Sequence, residues 1–268
     1  MTDEPDPRLA SARWLTSPAS RKMLAALTAG GRPARFVGGC VRDTLLDPTT
    51  DPHDLDIATA EPPARVIELL RAADIRVIPS GLEHGTVTAL CGDHAYEVTS
   101  LRRDVSTDGR RATVAFTDDF VADAARRDFT INALSCDAAG RLFDPFGGLA
   151  DLQAGRIRFV GDARCRIRED YLRILRWFRF FARFGRAPPD GDALAACRDE
   201  AHGIQRLSGE RIQHELFRLL PLPGAVQALA LMQESGVLSH TLPAPLDLAA
   251  LVALRRAGSA DDPVLAPR

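Results

Sequence analysis

FVGGCVRDTLLDPTTDPHDLDIATA, residues Phe36 to Ala60, breaks a short apolar strand at two glycines and then sets two aspartates one residue apart. The spacing predicts a strand over Ala34 to Val37 and a tight turn at Gly38 and Gly39. A short helix follows over Cys40 to Leu46, with Val41, Leu45 and Leu46 inward. Such a turn suits phosphate: glycine lets the backbone approach closely, N–H groups at a helix start favour anions, and Arg42 adds a fixed charge just beyond. Leu55 to Thr59 is the next predicted strand. Because strand side chains alternate, Asp54 and Asp56 share one face while Leu55 and Ile57 turn to the core. Two converging carboxylates repel unless a cation lies between them, and Mg²⁺ prefers one or two carboxylates together with substrate phosphates. A polar strand end would carry Asp-x-Asp equally well. The glycine turn, Arg42 and the paired aspartates together favour phosphoryl or nucleotidyl transfer.

Outward from this stretch, 268 residues hold one large domain or two ordinary ones, and 46% apolar residues suffice for a real core. No run of eighteen apolar residues occurs, and the opening MTDEPDPRLA is acidic, unlike a signal or transit peptide. The expectation is a cytoplasmic protein with no membrane partner. Cys40, Cys91, Cys136, Cys165 and Cys197 are widely spaced with no C-x-x-C pair, which predicts reduced, mostly buried thiols and no zinc site. The net charge of −2 is unevenly spread: residues 1–155 carry −6 and residues 156–220 carry +5. Eight arginines against Glu169 and Asp170 fall within Arg164 to Arg186, so an acidic, metal-ready half precedes a basic helical one. Ordinary solvated helix charge would give the same excess.

Ser17 as N-cap, Pro18 at the first helical position and Gly30-Gly31 at the end define an opening helix. Helical spacing returns over Pro62 to Ala73. Strands are predicted over Arg76 to Pro79, Thr86 to Leu90 and Ala95 to Leu101, the last two joined by a hairpin. Glu97 alternates against Tyr96 and Val98; should its strand neighbour the aspartate strand, Glu97 brings a third carboxylate to the site. Arg102 to Arg111 has no apolar period and is expected to be a mobile loop. After a helix over Asp118 to Ala125, Asp128 and Asn132 stand four apart on one predicted helix face, placed to clamp a ribose or merely to cap a helix start. Ser135 to Asp144 predicts a hairpin turning at Ala139-Gly140, and Asp144 to Gly148 a linker closing the first domain. From Arg166 to Phe184 one long helix is expected, with Ile167, Leu172, Leu175, Phe178 and Phe181 as its core stripe. Weaker helices follow at Gly191 to His202, Ser208 to Leu219 and Ala225 to Glu234.

On that long helix Glu169, Asp170 and Arg173 crowd the polar side. As a salt bridge, Glu169 and Arg173 would contribute only ~0.3–0.5 kcal/mol. Hydrogen-bond chemistry offers another use. Cytosine and adenine pair a donor with an adjacent ring acceptor on the Watson–Crick edge, whereas uracil and guanine present the reverse. A fixed acceptor, Asp170, beside a fixed donor, Arg173, would accept C and A and leave buried groups unpaired against U and G.

Several motifs in fixed order now carry a family resemblance. GGCVRD at Gly38 to Asp43 with DLDIAT at Asp54 to Thr59, RRDFTINAL at Arg126 to Leu134, DPFGGLADL at Asp144 to Leu152 and EDYLR at Glu169 to Arg173 resemble the class II tRNA nucleotidyltransferases, the CCA-adding enzymes, whose family includes bacterial poly(A) polymerases. ERIQHEL at Glu210 to Leu216 is similar more loosely. The resemblance implies a polymerase-beta-type α/β nucleotidyltransferase head, a mixed sheet with helices, over residues 1–149. An all-α, RNA-binding neck over 150–268 would follow, lacking the helical body and tail with which family members usually continue. It implies two Mg²⁺ ions on Asp54 and Asp56, with Glu97 as third acidic residue, and a triphosphate held by Gly38, Gly39 and Arg42. Arg126, Asp128 and Asn132 would bind the ribose, Glu169, Asp170 and Arg173 the base, and Arg176 and Arg179 the RNA. The loop after Glu97 would be the flexible element tied to the change from C to A. His53 departs from the small or basic residue usual before the aspartates. The implied partners are tRNA, CTP and ATP, and oligomeric state is left open. A poly(A) polymerase using ATP alone, or an RNA-binding relative without catalysis, would share these motifs.

Overall fold

The computed structural model describes residues 4–52, 54–82, 85–107, 112–242 and 246–253; His53 and residues 108–111 of the arginine-rich segment lie outside them. The chain divides into two compact units, Met1–Gln153 and Ala154–Arg268.

The first unit opens with two short helices, α1 (Pro7–Ala10) and α2 (Arg13–Thr16), neither of which periodicity revealed. In α3 (Pro18–Thr28), Pro18 stands at the first position and the Ser17 hydroxyl accepts from the Ser20 N–H, as the capping pattern demands. Its buried stripe, Met23, Leu24 and Leu27, shares the core with Trp14, whose ring meets Phe36 edge to face at 4.8 Å. Each such large apolar side chain contributes roughly 1.5–3 kcal/mol on burial. A seven-stranded mixed sheet follows, built of β1 (Ala34–Val37), β2 (Leu55–Thr59), β3 (Arg76–Gly81), β4 (Thr86–Cys91), β5 (His94–Ser100), β8 (Ser135–Cys136) and β9 (Leu142–Phe143). Their order across the sheet is β3-β4-β5-β2-β1-β8-β9. Only β2 and β5 run parallel; the other neighbours are antiparallel. The β8–β9 connection turns at Gly140, as expected.

Helix α4 (Gly39–Leu46) joins β1 to β2 and α5 (Pro63–Ala72) joins β2 to β3. Leu46, expected inward, is 48% exposed, because α4 ends with Leu45 as its last buried residue. The segment after β5 differs from expectation more. Arg102–Thr107 (β6) and Ala112–Phe116 (β7) pair as an antiparallel hairpin, so long-range pairing overrides the missing apolar period. Helix α6 (Phe120–Ala125) and α7 (Gly148–Ala154) complete the unit; Asp144 caps α7 by accepting from the Gly148 and Leu149 N–H groups.

The second unit is helical: α8 (Ala163–Glu169), α9 (Leu172–Phe184), α10 (Gly191–Asp199), α11 (Gly209–Leu219), α12 (Ala225–Glu234) and α13 (Val237–Thr241), with a 3₁₀ segment Ala201–Arg206. The single long helix expected over Arg166 to Phe184 is two, broken at Asp170 and Tyr171. Asp170 is extended (φ −154°, ψ 106°), and its carboxylate accepts from the Leu172 N–H at 3.1 Å to start α9. Trp177, fully buried on α9, stacks on Phe181 and donates its indole N–H to the Ile157 carbonyl. Among the described residues no helix is long and apolar enough to cross a membrane.

Candidate active site

Strand β2 carries Asp56 between Leu55 and Ile57, both buried, so alternation turns its carboxylate away from the core; Asp54, exposed, lies just before the strand. The parallel register makes β2 and β5 neighbours and sets Asp56 opposite Glu97 on β5. Burial, then the Glu97 charge, and more weakly Asp54, push the Asp56 carboxyl up to about 6, with Arg127 pulling the other way. A crowded, half-buried carboxylate favours a bound cation. Among the described residues no group of three or more His, Cys, Asp and Glu side chains is arranged to hold a metal ion, while the Glu97 charge acts directly on Asp56. Asp54 and Asp56 still fit a hard cation completed by substrate phosphates. Cys40, fully buried, has its thiol pushed up to about 12, mainly by burial and then by Asp56, and is inert.

Gly38 ends β1 with φ 73° and ψ −122°, a conformation that needs glycine, and Gly39 opens α4. A Cβ on Gly38 would lie 3.2 Å from Arg127 Nη1, so the turn and this guanidinium are in close approach. Arg127 sits beside Arg126 in RRDFTINAL but was not among the expected site residues; only its motif signalled it. Its Nη1 donates to the Asn132 carbonyl at 3.4 Å and Nη2 reaches Asp123 at 3.5 Å. Arg126 donates to the same Asp123, which is 4% exposed, at 2.9 Å.

Asp128 and Asn132 come together, although no helix does it. Phe129 is extended and Thr130–Asn132 is a 3₁₀ turn, yet Asn132 Nδ2 donates to Asp128 Oδ1 at 2.9 Å. Thr130 is anchored by its hydroxyl on the buried Asp151 carboxylate at 2.6 Å. Arg42, only 5% exposed, donates to Asn132 Oδ1 at 2.5 Å and to Asp43 at 2.7 Å. Its contacts brace the ribose candidates from inside the head.

In the second unit Glu169 accepts from both Arg166 and Arg173, the latter at 2.5 Å, and Arg173 also donates to the Arg166 carbonyl. Asp170 is held by Arg211 of α11 at 2.8 Å. Asp170 and Arg173 are therefore not neighbours on one helix face, as expected, but flank the break between α8 and α9. Arg179, expected to meet RNA, is 6% exposed and bonds Glu215, 3% exposed, at 2.6 Å. Burial pulls its pKa down while Glu215 counters. A guanidinium this enclosed contributes to packing. Arg176 is half-buried, 4.0 Å from Glu215 and over the Phe180 ring.

A glycine turn thus ends one strand of the mixed sheet, and Asp56 projects from its neighbour. Residues 34–158 match the family described as "Poly A polymerase head domain", and residues 189–247 that described as "Probable RNA and SrmB- binding site of polymerase A". The chain is 45% identical over 218 residues to the mitochondrial CCA tRNA nucleotidyltransferase 1 of Mus musculus, covering 80% of this chain and 50% of that protein. Among solved structures, the Bacillus stearothermophilus CCA-adding enzyme in complex with CTP is similar at TM-score 0.73 and 35% identity, covering 83% of this chain and 53% of that one. A tRNA nucleotidyltransferase complexed with a primer tRNA and an incoming ATP analog matches at TM-score 0.72 and 25% identity, covering 89% and 70%. The chain belongs to the family of CCA-adding tRNA nucleotidyltransferases and bacterial poly(A) polymerases. It spans about half the length of the curated relatives it matches. Nucleotidyltransferases of this family generally use a divalent metal.

Proposed function

We propose that this chain is a template-independent RNA nucleotidyltransferase that adds CTP- and ATP-derived nucleotides to the 3′ end of tRNA. The observation that carries the proposal is the register pair Asp56–Glu97, with Arg127 close to Gly38 and acting on the Asp56 carboxylate. Asp54 and Asp56 would hold two Mg²⁺ ions, with Glu97 as the third acid. The bound metal would lower the pKa of the RNA 3′-hydroxyl and steady the leaving pyrophosphate. The backbone of Gly38 and Gly39 approaches the triphosphate, Arg127 offers it charge, and Arg42 acts through Asn132. Asp128 and Asn132 receive the ribose hydroxyls, with Arg126 behind them on Asp123.

In the second unit, Asp170 as acceptor and Arg173 as donor would read the edge shared by C and A, with Glu169 orienting Arg173. Arg176 would meet the RNA backbone. The relatives' names favour CCA addition over the poly(A) reading. A cytoplasmic place of action fits the free cysteines, of which only Cys165 is exposed. Purified chain, Mg²⁺ and tRNA lacking its 3′ end, given each labelled NTP in turn, tests the proposal. CTP incorporation followed by ATP is expected; ATP alone would indicate poly(A) synthesis, and no incorporation a non-catalytic relative.

A further inference from the structure

A cleft of about 760 Å³ opens in the first unit between α3, the entry to β1 and the β8–β9 turn. Arg35 lies on its wall. β1 runs from Ala34 to Val37 with Gly38 directly after it, so Arg35 stands three residues, about 10 Å of strand, from the glycine turn. Its guanidinium is clamped between two rings, 3.5 Å from the Phe143 centroid and 4.1 Å from that of Phe120. Among the described residues it makes no hydrogen bond and no ion pair. Half-buried, it is pushed below the usual arginine pKa mainly by burial, and it feels both Asp137 and Arg141.

The other charges do not neutralise it. Arg141 and Asp137 pair with each other at 2.7 Å, and Arg21 of α3, exposed, adds another positive charge on the cleft. A guanidinium stacked on both faces keeps its N–H edge for an in-plane partner, the geometry that suits a bidentate oxyanion. Leu24 and Phe143 give the remaining wall an apolar character, and the volume exceeds what a bare phosphate fills.

We propose that this cleft binds an organic phosphate of nucleotide size, its phosphate on Arg35 and Arg21 and its apolar body against Leu24 and Phe143. The phosphate could come from a free nucleotide or from a nucleotide unit of RNA, and the test separates the two. Arginine Nε–H resonances are recorded for the full chain without divalent metal, and that of Arg35 is assigned by its loss in Arg35→Met. Inorganic phosphate, adenosine monophosphate and a short single-stranded RNA are titrated separately. A saturable shift of the Arg35 resonance with the monophosphate assigns a free nucleotide, and one with RNA alone assigns the RNA source. Either must be weakened about tenfold by Arg21→Ala, whose exposed site leaves the fold intact. A shift undiminished in Arg21→Ala would belong to ligand at the glycine turn and would overturn the proposal. No saturable shift with either ligand, or inorganic phosphate binding as tightly as both, would also overturn it. Should Arg35→Met fail to fold, Arg35→Lys supplies the assignment.

Discussion

Asp56 and Glu97, 41 residues apart in the chain, are register partners across the single parallel ladder of the sheet. Without that pairing Asp56 would be a strand-end carboxylate; with it, two like charges stand side by side on a half-buried surface. Such an arrangement is unfavourable alone and favourable around a cation.

Asp54→Ala and Asp56→Asn should each reduce nucleotide transfer below about a tenth of the wild-type rate while leaving urea midpoints unchanged or raised, since a repelling charge is removed. Chelation should stop the wild-type reaction and Mg²⁺ restore it. Near wild-type rates in both variants would remove the metal assignment.

Sugar choice should depend on Arg42 as well as on Asp128. The Arg42 bond to Asn132 Oδ1 orients the amide so that its Nδ2 meets Asp128. Asp128→Ala is expected to raise dNTP over NTP incorporation about tenfold or more, and Arg42→Met to move the ratio the same way. Competition between ATP and dATP measures both.

Base choice should follow Asp170. Leaving a base donor unmet in a closed site costs ~1–3 kcal/mol, roughly ten- to a hundredfold in discrimination. Asp170→Ala should therefore lower kcat/KM for CTP and ATP together and let UTP and GTP compete. An unaltered ratio among the four NTPs would confine Asp170 to capping α9 and pairing with Arg211.

Arg179 and Arg176 should separate stability from RNA affinity. Arg179→Met leaves Glu215 charged and enclosed and is expected to cost about 3–5 kcal/mol in urea unfolding. Arg176→Ala should change stability by less than about 1 kcal/mol but weaken tRNA binding and flatten its salt dependence.

Acid should weaken the N-terminal cap. The Arg8 side chain, hydrogen-bonded to Asp6, holds that carboxyl below its usual value, with burial opposing. A depressed carboxyl stabilises above its unfolded pKa, about 3.9, and that stability is lost as pH falls through the folded value. Asp6→Asn should thus be less stable than wild type at pH 7, by about 0.5–1 kcal/mol, and the two should converge at acidic pH.

Local patterns in the sequence determined the glycine turn, the alternation that exposes Asp56 between Leu55 and Ile57, the Ser17–Pro18 helix start and the Gly140 hairpin. Each depends on neighbours a few residues apart, where sterics and side-chain period act directly. Tertiary structure decided the rest. Pairing of β6 with β7 turned an aperiodic stretch into strands. Arg127 reached Gly38 across the head, and Asp128 met Asn132 through a 3₁₀ turn anchored on Asp151. Partners 41 and 36 residues away, Arg211 for Asp170 and Glu215 for Arg179, settled which charges lie open and which are enclosed. Periodicity shows which face of an element is apolar, but a polar side chain's partner depends on which elements pack together, and those distant contacts leave no short-range trace.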